Sequence, residues 1–395
     1  MLSNPRLAAL SDYPFDRLRA LLADLAPGAP PIVLSVGEPR HAPPPLLKEA
    51  LAAANDGWGR YPPVEGTAEF RAAACDWLTR RYALPAGFLD PDRHVLPVAG
   101  TREGLFTIAL AALPERKAGD RPVVLLPNPF YQVYLGAAVI GGAEPVLLPA
   151  GRESGFLPDL DAVPAAVLER TAICYLCSPA NPQGAVADVA FLERAVALAR
   201  RHAFLLVVDE CYGEIYDVAP PPGALAAAAA AGGGPQGVVV FHSLSKRSSA
   251  PGLRSGFVAG DAEVLAAFRR LRSYGGATLP LPVLAASAAL WRDETHVAAN
   301  RALYRAKFDV AERLLAGRFG FYRPAGGFFL WLDVGDGEAA ARTLWRETGV
   351  RVLPGAYLAR AANGHANPGR AFIRVALVDS LAVTEDALRR LNNVL

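Results

Sequence analysis

Short apolar runs alternate with amphipathic stretches through the middle of the chain. The runs are rich in valine, leucine and isoleucine, and the stretches between them, such as residues 189–201, space their apolar positions as a helix does. Runs that are apolar on both faces and separated by helices indicate a mainly parallel β-sheet with helices on both sides. The predicted strands are residues 123–127, 144–149, 172–177, 204–210, 237–243 and 255–260.

The two ends of the chain have a different pattern. Residues 5–26 carry apolar positions at nearly helical spacing, which predicts an N-terminal helical arm. A long helical pattern runs from residue 280 through Leu315, and an α+β pattern follows it. The elements predicted there are a strand at 328–334, a helix near 338–348, and strands near Val350 and Phe372.

Together these patterns predict an α/β fold with two domains. Residues 41–285 are expected to form a large domain, with a mainly parallel sheet sandwiched by helices, and residues 286–395 a smaller α+β domain. Residues 1–40 are expected to be an N-terminal arm and part of the small domain. The alanine- and glycine-rich stretch 224–234 is expected to be a surface loop inside the large domain.

Composition narrows the class of function. The chain has 395 residues, enough for two or three domains, and 40 basic against 38 acidic residues give a net charge of +2. A chain so close to neutral offers no strong field for nucleic acid or for an anionic membrane surface. Charges also interrupt the apolar positions of the first residues before they reach the length of a signal core. We therefore expect a cytoplasmic protein that binds neither nucleic acid nor a membrane.

Cysteine and glycine patterns add no metal or nucleotide site. Four cysteines are too few for a disulfide framework in a chain of this size, and free thiols are expected. Cys174 and Cys177 have the spacing of a redox or metal pair, but both lie inside a predicted strand and have no second pair to complete a site. The glycines at 232–234 lack the lysine and hydroxyl of a phosphate loop. We expect no metal.

The strongest chemical signal is a lysine that follows a predicted strand. Lys246 lies in SLSKRSS, with Ser243 and Ser245 before it and Arg254 eight residues after it. A lysine amine forms Schiff bases with carbonyl compounds, and hydroxyls with a guanidinium hold a phosphate dianion. Taken alone, Lys246 is equally well explained as a solvated loop lysine. Lysine occurs only four times in the chain, so a mechanism that needs one has few candidates.

Three further motifs place polar groups at the ends of predicted strands or helices. Asp209 ends a buried apolar run, with Tyr212 close behind, and a carboxylate buried there requires a cationic partner. Asn181 lies in the rigid turn SPANPQG. Gly100 and Thr101 open a helix, whose free N–H groups can bind phosphate. Each motif alone also fits a bland role: an ion pair or helix cap, a turn, or a capped helix.

The order of these motifs carries a family resemblance. AGTRE, SPANPQG, DECYGEIY and SLSKRSS follow one another, and VGEP, YPPVEGTAEFR, NPFYQVY and FIRVAL complete the pattern. With these motifs the chain resembles the fold-type I, pyridoxal-phosphate-dependent aminotransferases of class I/II over essentially its whole length. The resemblance implies an enzyme with pyridoxal 5′-phosphate as its cofactor, and amino acids and 2-oxo acids as its substrates.

The resemblance also implies roles for the residues that surround the cofactor ring. Lys246 would form the Schiff base and carry the proton during transfer, and Asp209 would pair with the pyridine nitrogen. Asn181 and Tyr212 would hydrogen-bond the phenolic oxygen, and Tyr131 would stack on the ring. The further residues implied to bind the cofactor and its phosphate are Gly100, Thr101, Arg102, Ser243, Ser245 and Arg254.

Substrate binding and assembly follow from the same resemblance. Arg374 matches the arginine that grips the substrate α-carboxylate, a bidentate task for which lysine is poorly suited. Gly37 would add a backbone contact to that carboxylate, and Asn181 would also lie next to the substrate. Tyr61 resembles the tyrosine that reaches the phosphate of the neighbouring subunit, which implies a homodimer with shared active sites.

A narrower resemblance concerns the substrate. SPANPQGAV, DECYGEIYD, SLSKRSSAPGLRSGFVAGD and VLPGAYLARAANGHANPGRAFIRVALV, with the N-terminal YPFDRLRALL, are similar to succinyldiaminopimelate aminotransferases. These interconvert N-succinyl-2-amino-6-oxopimelate and L-glutamate with N-succinyl-LL-2,6-diaminopimelate and 2-oxoglutarate, in lysine and diaminopimelate biosynthesis. A succinylated substrate needs a further basic group, and the candidates beside the motifs are Arg40, Arg102 and Arg247.

Three alternatives stay open at this point. The same cofactor supports an aminotransferase for another amino acid, of aspartate, aromatic or alanine type. It also supports a C–S lyase or a decarboxylase, because the ring stabilises any carbanion at Cα. The third alternative is a cofactor-sensing regulatory domain of the kind fused to DNA-binding modules. The short segment before VGEP and the near-zero net charge oppose this last one.

Overall fold

Strands are concentrated in one large sheet and two small ones in the computed structural model, which describes residues 4–10, 12–362, 364 and 366–395. Met1 to Ser3 and Ser11 of the predicted arm, and Asn363 and His365 of the motif that begins VLPGAYLAR, lie outside this range. The strands are β1 (Ile32–Val33), β2 (Val95–Val98), β3 (Val123–Asn128), β4 (Glu144–Pro149), β5 (Thr171–Cys177), β6 (Leu205–Asp209), β7 (Val238–Ser243), β8 (Gly256–Gly260), β9 (Phe329–Asp333), β10 (Val350–Arg351), β11 (Leu353–Pro354) and β12 (Phe372–Ala376).

Helices precede and follow most strands. Short 3₁₀ turns, such as Pro5–Ala9 and Pro251–Leu253, supplement them. The α-helices are α1 (Pro14–Leu21), α2 (Pro45–Ala53), α3 (Ala68–Tyr82), α4 (Pro91–His94), α5 (Thr101–Ala112), α6 (Gln132–Ile140), α7 (Ala165–Arg170), α8 (Val189–Arg201), α9 (Ala224–Ala230), α10 (Leu244–Arg247), α11 (Ala262–Gly275), α12 (Leu281–Arg292), α13 (Thr295–Leu315), α14 (Gly337–Thr348) and α15 (Leu381–Val394).

The large sheet has seven strands in the order β2-β8-β7-β6-β5-β3-β4. Neighbours from β7 through β4 are parallel, whereas β8 runs antiparallel to both β7 and β2. The α/β class and the mainly parallel sheet are therefore confirmed, and each of the six predicted strands is present within one residue at either end. Strand β2 was not predicted, because a four-residue run containing Pro97 gives little periodic signal.

Helices cover both faces of this sheet. Alternate residues of β6 point to opposite faces, as the strand period requires: Leu206 and Val208 join one core, and Leu205 and Val207 join the other. The first core also includes α3, α8, α9 and α12, and the second includes α5, α6 and α11. Burial on both faces explains why these strands read as continuous apolar runs.

The C-terminal part of the chain forms the small sheets. Strand β12 lies between β9 and β11 and is antiparallel to both, and β1 pairs in parallel with β10. Helices α13, α14 and α15 pack with these strands around a separate apolar core that also includes Leu34. The pairing of β1 with β10 thus joins the N-terminal segment to the C-terminal region.

Three local predictions differ from the structure. The stretch predicted as a loop at 224–234 begins with helix α9, whose Leu225 and Ala228 are buried, and only its glycine-rich end is a loop. Alanine is the best helix former, so the repetitive composition concealed a core helix. The long pattern after residue 280 is two helices, α12 and α13, and the predicted N-terminal helix shortens to α1 with a preceding 3₁₀ turn.

The predicted domain boundaries stay a prediction. The boundary after residue 285 falls inside α12, which packs against α2 and α3 on the large sheet. We therefore propose that the second domain begins after α12. Among the described residues, none of the helices is both long and apolar enough to cross a membrane.

Candidate active site

A cavity of about 700 Å³ opens at the edge of the large sheet where the parallel strands end. Asp209 is the last residue of β6, Ser243 is the last of β7, and Asn181 lies in the turn after β5. The registers of the sheet set Asp209 beside Cys177 and Phe241. Ligands of open α/β sheets bind at this edge, because the chain leaves each strand there and loops can converge.

Lys246 projects its amine into this cavity from α10. Its Nζ donates a hydrogen bond to the carbonyl oxygen of Gly37 at 3.0 Å, and lies 5.8 Å from the centre of the Tyr212 ring. Burial lowers the pKa of the lysine to about 8, because removal from water disfavours the charged form. More of the amine is therefore unprotonated near neutral pH than in an ordinary lysine, which favours its action as a nucleophile.

Asp209 is a buried carboxylate held by two donors. The Tyr134 hydroxyl donates to Oδ2 at 2.7 Å, and the backbone N–H of Cys211 donates to Oδ1 at 3.2 Å. Burial raises the pKa of Asp209, which shows that the charged form is short of stabilisation. Among the residues that the structure describes, no Lys, Arg or His lies within ion-pair distance of this carboxylate. A cationic group bound in the cavity would supply the missing charge.

Tyr134 was missed by the sequence reasoning, although a signal for it existed. It stands three residues after Tyr131 in NPFYQVY, at the start of α6, and this spacing places both rings on one side of the helix. The two rings meet edge to face at 5.7 Å. Burial raises the pKa of Tyr131 to about 12, so its hydroxyl stays protonated.

A second group of polar residues lies at the beginning of α5. Gly100 has φ = +84°, and a Cβ there would lie 2.0 Å from Nη2 of Arg254. Glycine is therefore required, both by its backbone conformation and by the close approach of the guanidinium. Thr101 follows at the first position of α5, and Ser243 and Ser245 are buried beside it at the cavity wall. Free N–H groups, hydroxyls and a guanidinium together form a cradle suited to a phosphate.

Arg374 lies across the cavity from this cradle, on strand β12. Its Nη1 donates to Oδ1 of Asn181 at 3.0 Å and its Nη2 to the carbonyl of Ser35 at 2.8 Å. Its Nε has no hydrogen-bond partner among the described residues. Burial lowers the pKa of Arg374 to about 10, so it remains a cation at neutral pH. A buried guanidinium with unused donors fits a small carboxylate.

The mouth of the cavity is formed partly by the N-terminal segment. Arg102 donates from Nε to the Tyr131 hydroxyl at 2.9 Å and from Nη2 to the Tyr13 hydroxyl at 2.8 Å. Tyr13 and Phe15 thereby line the same cavity as Arg102 and Tyr131, which are more than 80 residues away in sequence. The sequence reasoning gave Tyr13 no role, since nothing in the local pattern reports so distant a contact.

Some predicted residues are not brought into this cavity. Tyr61 is fully exposed on the surface of the single chain. Arg40 forms an ion pair with Asp379 outside the cavity. The suggestion that Arg247 reads a substrate carboxylate is wrong: its guanidinium is buried and donates to the carbonyl of Leu290 and to Glu294. Arg247 directly follows Lys246 on the short helix α10, and its side chain points away from the cavity. The sequence motif alone does not show this direction.

The cysteines lie in the interior of the protein. Cys174 and Cys177 are buried within β5, as predicted, and their thiols have a pKa raised by burial. All four cysteines are free and buried. Within the described residues, no group of three or more His, Cys, Asp or Glu side chains is arranged to hold a metal ion.

Comparison with known proteins agrees with this geometry. The family model for aminotransferase class I and II matches residues 29–391. An LL-diaminopimelate aminotransferase of Syntrophobacter fumaroxidans is 32% identical over 398 residues, which cover 98% of each chain.

Two solved structures are similar over nearly their full length. An aminotransferase of Neisseria meningitidis superimposes with a TM-score of 0.93 at 40% identity, covering 98% of this chain and 99% of that one. A probable N-succinyldiaminopimelate aminotransferase of Thermus thermophilus has a TM-score of 0.84 at 28% identity, covering 97% and 100% of the two chains.

Proposed function

Because this chain belongs to the class I and II aminotransferases, we propose that it transfers an amino group between L-glutamate and N-succinyl-2-amino-6-oxopimelate. The protein is an aminotransferase that uses pyridoxal 5′-phosphate and acts on amino acids and 2-oxo acids. The donor, the acceptor and the residue roles below are our proposals. The reverse direction would convert N-succinyl-LL-2,6-diaminopimelate and 2-oxoglutarate.

The cavity has the groups that the cofactor needs. The cradle of Gly100, Thr101, Ser243, Ser245 and Arg254 suits the phosphate. Asp209, which lacks a cationic partner in the described chain, would hold the protonated ring nitrogen. Asn181 and Tyr212 would hydrogen-bond the phenolic oxygen, and Tyr131 would pack against the ring. When bound, pyridoxal phosphate supplies an electron-withdrawing ring that stabilises negative charge on the substrate Cα.

The chain's own residues would perform the remaining steps. Lys246 would hold the cofactor through Nζ and, once displaced by substrate, would carry the proton that leaves Cα. Its pKa of about 8 lies close to neutral pH, where an amine can both accept and return a proton. Arg374 would orient the substrate α-carboxylate through donors that Asn181 and Ser35 leave free, with Gly37 beside it.

One observation favours an acceptor with a second carboxylate. Besides Arg254 in the cradle, two guanidinium groups line the cavity: that of Arg374 is buried, and that of Arg102 is exposed at the mouth. The hydrogen bonds that Arg102 donates to the Tyr13 and Tyr131 hydroxyls hold its guanidinium in place. A succinylated substrate carries an anionic group well beyond its reacting carbon, and Arg102 is placed to meet such a charge.

A second candidate is LL-diaminopimelate itself, whose distal end also bears an ammonium group. The Syntrophobacter relative is named for this substrate. Glu38, which lines the same cavity as Arg102, is the group that would bind an ammonium. An aminotransferase of aspartate, aromatic or alanine type and a C–S lyase remain further alternatives.

The deciding experiment compares amino donors at equal concentration with 2-oxoglutarate as acceptor. We expect kcat/KM for N-succinyl-LL-2,6-diaminopimelate to exceed that for LL-diaminopimelate, aspartate, alanine and phenylalanine. Arg102→Met should raise KM for the succinylated donor about tenfold, the value of one charge-assisted hydrogen bond, and leave glutamate little affected. A higher kcat/KM for LL-diaminopimelate, lost in Glu38→Gln, would replace the first candidate by the second.

We also propose a homodimer with shared active sites. Tyr61 is fully exposed, and the aromatic rings of Trp58 and Tyr274 are 56% and 88% exposed. Large exposed aromatic side chains are typical of interfaces between chains. In such a dimer Tyr61 would reach the cofactor phosphate of the other subunit. Light scattering should give twice the chain mass, and Tyr61→Phe should weaken pyridoxal phosphate binding without changing that mass.

A further inference from the structure

Behind Lys246, on the side away from the cavity, three side chains form a continuous hydrogen-bonded chain. Lys307 Nζ lies 2.7 Å from Nε2 of His41, and Nδ1 of His41 lies 2.8 Å from Oδ1 of Asn300. An amide oxygen only accepts, so Nδ1 of His41 carries the proton and its Nε2 accepts from Lys307. The histidine is therefore neutral, in agreement with a pKa that burial lowers.

Both ends of this chain are fixed to backbone that carries active-site residues. The Asn300 amide donates from Nδ2 to the carbonyl oxygens of Lys246 at 3.1 Å and of Arg247 at 3.3 Å. At the other end, Lys307 Nζ donates to the carbonyl of Leu377, three residues after Arg374.

His41, the middle member of this hydrogen-bonded network, is close in sequence to a segment that lines the cavity. His41 lies four residues after Gly37, whose carbonyl accepts from the Lys246 amine. The His41 ring packs 4.6 Å from the Tyr304 ring, and Lys307 Nζ lies 4.9 Å from the same ring. Three segments that are far apart in sequence thus converge on one network.

The network contains a buried lysine at a position where an apolar side chain would avoid the free-energy cost of burying a charged group. Lys307 is 1% exposed and Asn300 is 8% exposed. Burial lowers the pKa of Lys307 to about 8, and the carboxylate of Asp379 partly opposes this. Lysine is almost never fully buried unless it is paired. Neither Lys307 nor His41 lines the cavity, so neither one touches the reacting groups.

We propose that Lys307 is a positioning residue of the reaction: through His41 and Asn300 it fixes the Gly37 carbonyl and the Lys246 backbone relative to each other, and so aims the Lys246 amine. The inference rests on the proposed role of Lys246. A reacting group that is displaced by about 1 Å can lower the rate about 100-fold. A network that fixes the position of Lys246 would therefore raise the rate.

The test follows the uptake of pyridoxal phosphate by cofactor-free protein over a range of pH. The neutral amine adds to the aldehyde carbon and a water molecule leaves, so the rate of appearance of the bound cofactor's absorption band rises with pH. Its midpoint should lie near pH 8 in the unaltered protein, since burial lowers the Lys246 pKa to about 8. This readout requires no turnover.

The variants are Lys307→Met, which keeps the length of the stem, and His41→Phe, which keeps the ring against Tyr304. Without the network the Gly37 carbonyl no longer accepts from Nζ, and the charged amine loses its stronger hydrogen bond. The midpoint should therefore move to lower pH by about half a unit or more. We also expect kcat to fall about tenfold, with KM for glutamate changed less than kcat.

Lys117→Met is the matched control. Like Lys307, Lys117 donates to backbone carbonyls, those of Thr171, His202 and Ala203, but these lie outside the cavity. It should lower the melting temperature while leaving the midpoint and kcat unchanged. Should Lys307→Met fail to fold, His41→Phe decides, because its ring is only partly buried.

The outcomes separate this inference from the proposed function. Folded Lys307→Met and His41→Phe proteins that keep the unaltered midpoint and kcat would overturn the positioning role. An equal shift in Lys117→Met would overturn it too, since any loss of stability would then produce the effect. Lys246→Ala protein that still acquires the lysine-bound absorption band would refute the proposed role of Lys246 itself, whatever the Lys307 variants show.

Discussion

The two ends of the active-site cavity are built in different ways. At the proposed cofactor end, Asp209 and Ser243 are the final residues of neighbouring strands, and Gly100 lies two residues after the end of β2. At the substrate end, Arg374 is held by the carbonyl of Ser35, 339 residues away in sequence, and Tyr13 reaches Arg102 across 89 residues. One end is therefore set by the ladder of a single sheet, and the other by contacts between remote segments.

This difference indicates how each end should respond to change. The cofactor end is preorganised, because a sheet buried on both faces fixes the ends of its strands. The substrate end depends on side-chain contacts between remote segments, such as Arg374 with Asn181 and Arg102 with Tyr13, so we expect it to be less rigid. Substitutions at the cofactor end should mainly lower kcat, and substitutions at the substrate end should mainly raise KM.

The largest effect is expected for Lys246→Ala. This change removes the amine that we propose to hold the cofactor and move the proton, so transamination should fall at least about 10⁴-fold. Far-ultraviolet circular dichroism should show an intact fold, because the amine projects into a cavity. Lys48→Ala, on the exposed side of α2, is the control and should retain full activity. Undiminished turnover by the Lys246 variant would remove this residue from the mechanism.

Asp209→Ala should rank next. A ring nitrogen without its carboxylate loses its proton and becomes a poor electron sink, so kcat should fall about 10²- to 10³-fold. The phosphate cradle is untouched, and the variant should still bind pyridoxal phosphate in an equilibrium titration. Asp209→Glu should recover part of the rate. A near-normal kcat in the alanine variant would show that the carboxylate does not serve the ring.

At the substrate end, Arg374→Lys should act on binding. Lysine keeps the charge but loses the planar fork that meets a carboxylate with two hydrogen bonds. We expect KM for L-glutamate to rise about tenfold to a hundredfold, equivalent to ~1.5–3 kcal/mol, while kcat changes less. Steady-state kinetics with glutamate varied checks this. A variant with unchanged KM and a strongly reduced kcat would reverse the proposed contrast between the two ends.

The smallest effect is expected for Tyr134→Phe, which acts on the cofactor end indirectly. The Tyr134 hydroxyl lowers the pKa of Asp209, so its loss should raise that pKa and move the acidic limb of the pH–rate profile to higher pH. We expect kcat at neutral pH to fall about twofold to tenfold, the value of one hydrogen bond.

Tyr175→Phe is the matched control for this prediction. Tyr175 is stacked on Tyr134 at 4.7 Å, but its hydroxyl donates to the carbonyl of Leu105. Both changes remove one buried hydroxyl, and only Tyr134 contacts Asp209. If the two variants give the same pH profile, the Tyr134 hydrogen bond contributes stability and not tuning of the carboxylate.

The contrast between the ends also explains which parts the sequence could predict. Six of the seven strands of the large sheet are apolar runs of five or more residues, so their positions were predicted within a residue, and Asp209 and Lys246 could be placed at the same edge. Tyr13 could not be predicted, because its contact with Arg102 exists only in the folded chain. Arg247 illustrates the opposite error. It is next to Lys246 in sequence, but its side chain points away from the cavity.

Helix α9 and the network around Lys307 show that burial, too, could not be predicted from the local sequence. The alanine-rich composition predicted a loop, yet Leu225 of α9 is buried in the core on one face of the large sheet. Lys307 lies in a helical pattern like any other lysine, and only the structure shows it joined to His41 and Asn300. Local periodicity reports secondary structure, whereas burial of a polar group depends on remote partners.

The most direct test of the active-site assignment is the visible absorption spectrum of the cofactor-loaded protein, recorded before and after addition of L-glutamate. We predict a visible band from cofactor held by Lys246, which glutamate replaces by the band of the amine form of the cofactor, and which 2-oxoglutarate restores. Bound cofactor whose spectrum does not respond to glutamate would contradict the proposed donor half-reaction.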